Sequence, residues 1–192
     1  MTSEQMEGIN LGLDEAILHD AKFDLKLGTV KFLFEIFTID ENGVVPNNRT
    51  VSLVLGNIGR VMASLQHLTD RNDYLKTEPF TIDDFQKVIR SFGGSVYGTN
   101  FIRQGNDSLP AWIDHLSLDT ELNGDSDYLI DLFQDGNDRK LDFRIWFGSL
   151  KILNLSGIEI PMGDFIAGGQ RWWDAFNEDD PRTQGFGMYP LK

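Results

Sequence analysis

Three histidines, His19, His67 and His115, are the imidazoles of the chain, and each sits in a different segment. No HxH or HxxxH pair arises, so the register that lets two imidazoles share a metal is missing. His19 is the most interesting, because it falls among the apolar odd-numbered positions of a strand-like run and precedes Asp20. The favoured reading is a buried imidazole bonded to a neighbouring strand; the alternative is a general base or ligand at a pocket mouth. Acidic glycine turns invite calcium. Asp119-Thr120-Glu121-Leu122-Asn123-Gly124 places oxygen at loop positions one, three and five and glycine at six, but Ile130 stands where a bidentate Glu belongs. Asp40-Glu41-Asn42-Gly43 fails in the same way, with Arg49 in that place. Both read as hairpin turns. The chain has no cysteine, which excludes disulfides, thiolate metal sites and cysteine nucleophiles. It also lacks a GxSxG elbow, an SxxK, a Walker A loop and a GxGxxG fingerprint. No residue is therefore assigned a catalytic, cofactor-binding or metal-ligating role.

Aromatic residues are the other candidates. Trp172 and Trp173 are adjacent on a helix-like run, about 100° apart, so they cannot share one face. One is expected to anchor that helix to a sheet and the other to lie at its rim. Trp146 shares the polar side of an alternating run with Lys140, Asp142 and Arg144. There it marks either a contact surface or the presence of a second covering layer.

The elements that must position these residues are mostly strands. Ile17, His19, Ala21, Phe23, Leu25 and Leu27 alternate with polar residues, predicting a strand over 17–27 with the odd positions buried. Val30–Ile39 and Thr50–Leu55 complete an antiparallel meander. Residues 56–68 fit a short helix or a strand extended past a glycine bulge. Phe80–Gly94 predicts a helix, with Thr81 as N-cap, Asp84 closing the capping box, Phe80 stapled to Phe85, and Gly93-Gly94 as the stop. Residues 95–122 read as a looped excursion followed by a strand carrying Leu116, Leu118 and Leu122. Asp127–Gln134 and Lys140–Phe147 form a hairpin across Asp135–Asp138. Leu150–Leu155 is a further strand, and a second helix follows Pro161 to Asn177, with Gly168-Gly169 allowing close approach to the sheet. Residues 1–13 read as an N-terminal extension and 178–192 as a tail whose Phe186, Met188, Tyr189 and Leu191 tuck back.

The sum is one α+β domain over residues 1–192, with six to eight antiparallel strands and two main helices. Hydrophobic residues at 41% and charged residues at 24% are ordinary for a globular chain of this length. The first thirteen residues carry Glu4 and Glu7 where an export signal carries basic residues, and no apolar run reaches membrane-spanning length. A cytoplasmic location is the expectation. A net charge of −13 disfavours nucleic acid and fits a basic protein partner, with a homo-oligomer as a further option.

Ile17-Leu18-His19-Asp20-Ala21 resembles the opening strand of small uncharacterised bacterial proteins, some of them immunity-type proteins encoded beside polymorphic toxins. The run from Leu141 to the Trp172-Trp173 helix is similar in character. The resemblance implies a mixed sheet with a packing helix, no established catalytic residues, and an acidic surface suited to neutralising a basic toxin. The leading expectation is a non-enzymatic interaction protein. The alternative is a small-molecule-binding or enzymatic domain with a pocket between sheet and helix, and His19 or Trp146 at its lip.

Overall fold

A computed structural model describes residues 1–68, 74–92, 94–105, 110–136 and 138–184. The chain is α+β and antiparallel throughout its sheets. Helix α1 (Ser3–Leu13) leads into β1 (Ile17–Asp24), β2 (Thr29–Glu35), β3 (Thr50–Gly56), β4 (Arg60–Leu68) and β5 (Tyr74–Thr77). Then come α2 (Phe85–Phe92), β6 (Gly94–Arg103), β7 (Leu118–Glu121), β8 (Tyr128–Asp135), β9 (Arg139–Phe147), β10 (Ser149–Asn154) and α3 (Met162–Asn177). Among the described residues no helix is long and apolar enough to cross a membrane.

Two sheets share their strands. One runs β10-β3-β2-β1; the other runs β6-β8-β9-β4, with β5 and β7 following one another along the outer edge of β4. At one corner β3 continues into β4 and β9 into β10, still paired, so two long strands bend together from sheet to sheet. Backbone bonds from Gly148 N to Gly56 O (2.9 Å) and from Gly59 N to Trp146 O (3.0 Å) hold this bend. A Cβ on Gly148 would lie 2.4 Å from the Asp125 carbonyl, so only glycine fits. At the opposite corner β1 meets β6 through Ile17↔Ser95 and Leu18↔Gly94. The pairings thus close into a barrel-like ring.

The interior is filled rather than hollow. Phe32 of β2 stacks on Phe143 of β9 across the two sheets, with ring centroids 5.9 Å apart, and Phe85 of α2 meets Phe143 edge-on at 5.3 Å. On β9 the alternation reads true: Leu141, Phe143, Ile145 and Phe147 are buried inward. The ambiguous stretch before Leu68 is a strand because both of its faces are covered, Val61, Ala63 and Leu65 inward and Met62, Ser64 and Gln66 outward. Helix α2 is heralded as expected. The Thr81 hydroxyl donates to Asp84 at 2.7 Å, and Phe80 packs on Phe85 at 6.0 Å. Its first turn is 3-10 (Ile82–Asp84). Gly93 lies outside the described residues, and Gly94 already opens β6.

Four expectations are corrected. Residues 1–13, expected as an N-terminal extension, contain helix α1: Thr2 caps it in a box with Gln5, and Met6, Ile9 and Leu13 enter the core. Residues 94–103 form β6, a strand where a looped excursion was expected, and the described residues hold ten strands. Strand β1 ends at Asp24, whose carboxylate accepts from Lys26 N and Leu27 N, leaving Leu25 and Leu27 exposed. Gly168 and Gly169 approach a loop and a helix instead of the sheet. A Cβ on Gly168 would lie 2.3 Å from the Thr38 hydroxyl, and one on Gly169 2.8 Å from Gly12 of α1. Residues 178–184 cap α3 and turn through Pro181–Thr183; the expected return of Phe186 to Leu191 falls outside the described residues.

Candidate functional site

A β-bulge decides the place of His19. The β1–β2 register slips between Leu18 and Asp20, so Leu18 and Ala21 point inward and His19 does not. Its side chain is 44% exposed, with Nε2 3.3 Å from Glu35 on the neighbouring strand. Glu35 also accepts from Arg49 at 2.6 Å. The imidazole is therefore a surface group beside the Glu35–Arg49 ion pair, not a buried one. Trp146 has the second covering layer: it is 9% exposed, packed with Met62 and Leu129 beneath Trp112, Ile113 and Leu116. Trp172 is fully buried, but against Phe37 and Ile39 of the β2–β3 loop. Trp173 is half-buried and donates to the Leu11 carbonyl at 2.9 Å. The turn at Asp40 is held by its carboxylate, which accepts from Asn42 N and Val44 N. Residues 119–124, expected as a hairpin turn, instead end β7 and lead away from it, since β7 pairs with β4 and not with β8.

Two regions collect polar side chains. The first is the layer made by α1 and α3, which pack together through Gly8 against Ile166 and Gly12 against Phe165. Residues 3–15 and 161–179 carry eight carboxylates and one guanidinium, more than half of the net charge of −13. Glu4, Glu7, Asp14, Asp164, Asp174, Glu178 and Asp179 are exposed. The guanidinium, Arg171, donates inward to the Ile39 carbonyl at 2.9 Å. Both helices end in acids, where the macrodipole is negative and favours cations. Glu15 (φ 58°) and Asp179 (φ 55°) also occupy the left-handed position usually given to glycine. Burial raises the Asp14 carboxyl above its ordinary value; burial and then the Asp14 charge raise that of Glu15.

The second region is the outer face of the β6-β8-β9-β4 sheet. Register aligns its side chains in rungs: Asn100, Asp131, Arg144 and Met62 in one, Gly98, Phe133, Asp142 and Ser64 in the next. Arg144 is 4% exposed and grips Asp131 with two bonds of 2.6 and 2.7 Å. Burial pushes the Asp142 carboxyl up, an effect that the Lys140 ammonium, 3.7 Å away, opposes. Pro110, Ala111 and Trp112 rise beside these rungs and border an open pocket of about 350 Å³. Neither His19 nor Trp146 lines it, and it lies between sheet and loop, not between sheet and helix. The alternation of β9 marks Asp142 and Arg144 as outward-facing. The partners Asn100, Trp112 and Asp131 come from three other segments that only the register unites.

No protein-family model, curated protein or solved structure matches the chain.

Proposed function

We propose that the chain is a non-enzymatic interaction module that presents the acidic α1/α3 layer to a basic protein, in the manner of an immunity protein. The carrying observation is the eight carboxylates against a single, inward-bonded guanidinium on the two helices. Charge of one sign over such a face steers a basic partner and speeds its encounter. The acids at both helix C-termini support the reading further, because they stand where they cost stability. The phenylalanine-filled barrel offers no comparable support for chemistry in its interior. The partner in this reading is a basic toxin, whose positive charge is the complement of the acidic layer.

The test captures partners at low salt on the parent and on a variant carrying Glu4→Gln, Glu7→Gln, Asp14→Asn and Glu15→Gln. A control carries Asp125→Asn and Asp127→Asn, which neutralise charge elsewhere. The expected result is a basic protein held by parent and control, lost from the α1 variant, and released as salt is raised. A partner retained by the α1 variant, or indifferent to salt, would overturn the reading.

A further inference from the structure

The geometry points to a binding site for a small, neutral, polyhydroxylated ligand, sugar-like in chemistry, in the outer-face pocket beneath Trp112. Four observations combine. First, the pocket is electrically balanced within a strongly anionic chain: Asp131 is gripped by Arg144, and Asp142 stands by Lys140. A multivalent cation or an anion finds no net opposite charge there, whereas a neutral ligand suffers no penalty. Second, the floor offers carboxylate oxygens that accept and the Asn100 amide that both donates and accepts. Vicinal hydroxyls, each donor and acceptor at once, match this mixture. Third, Trp112 gives the wall an aromatic surface, suited to the C–H face of a ring, while the Met62–Leu129–Trp146 cluster fixes the indole from behind. Fourth, the space is built in. Gly98 opens the floor opposite Phe133, and a Cβ there would meet no atom within 4 Å. A volume of about 350 Å³ is at the lower end for ligand pockets and fits one small ring.

The experiment is saturation-transfer difference NMR on the whole chain. The neutral probes are glucose, galactose, mannose, N-acetylglucosamine, rhamnose and inositol; the charged probes are putrescine and inorganic phosphate. At least one neutral probe should give signal, and neither charged probe should exceed it. Gly98→Leu, which fills the pocket from an open position, should weaken binding about tenfold or more without lowering the melting temperature. Asn100→Ala, at an exposed residue, should weaken it by a similar factor through the lost hydrogen bonds and serves if Gly98→Leu misfolds. No signal from any neutral probe, a signal that survives both substitutions, or stronger binding of putrescine or phosphate overturns the proposal.

Discussion

Arg144 is a guanidinium buried on the outer side of a sheet, and its partner Asp131 remains about 29% exposed. Removing the partner leaves the charge without its fork, so Asp131→Ala should destabilise the chain by about 2 kcal/mol. That is below the range for fully buried pairs, because solvent reaches Asp131. Urea unfolding of Asp131→Ala, Arg144→Ala and the double variant measures the coupling. Asp142 behaves in the opposite sense. Its native carboxyl is raised above the ordinary value of 3.8, so the folded chain holds a proton that the unfolded chain releases. The stability this confers is complete below that value and is lost as pH rises through the native one. Asp142→Asn should therefore match the parent in acid and exceed it at neutral pH, a difference that urea midpoints across pH resolve.

Glycines within one helix separate two effects at the level of the element. Gly163 of α3 has open space around its Cα, so Gly163→Ala should stabilise the helix by about 0.5 kcal/mol through propensity. Gly169→Ala carries the same propensity gain, but its methyl would press on Gly12 of α1, and a net loss of about 1–2 kcal/mol is expected. Thermal melts of the two variants should shift in opposite directions. At the end of α1, Glu15→Gly removes a left-handed side chain and should add about 1 kcal/mol while weakening the acidic face. Elements whose local signals agree are the ones legible in sequence, such as β2, β9 and the Thr81 cap of α2. Helix α1 was hidden because Gly8 and Gly12, poor helix formers, serve its contact with α3. Strand β6 opens on small residues, Gly94-Ser95, that resemble a turn. The His19 bulge reversed a face that alternation alone assigns wrongly, and the pocket depends on register between strands far apart in the chain.

The ring of strands is strongest at its bent corner and weakest at its seam. Two long strands cross the corner paired on both sides, whereas β1 and β6 share two residue pairs. Amides bonded across the β1–β6 seam should exchange with solvent sooner than those of the β3–β10 pair, as hydrogen-exchange mass spectrometry can record. Self-repulsion from a net charge of −13 should also lift the melting temperature as salt is raised from about 10 to about 150 mM. Helix α1 carries a consequence for biosynthesis. Its Asn10 side chain accepts from Phe101 N of β6, and its Gly8 and Gly12 face Ile166 and Phe165 of α3. In a nascent chain the β6 contact can therefore form about 90 residues after α1 is made and the α3 contact about 150 residues after it. Until α3 is made the Gly8–Gly12 face of α1 lacks its cover, and a chain ending short of Met162 would leave that face open to chaperones and proteases.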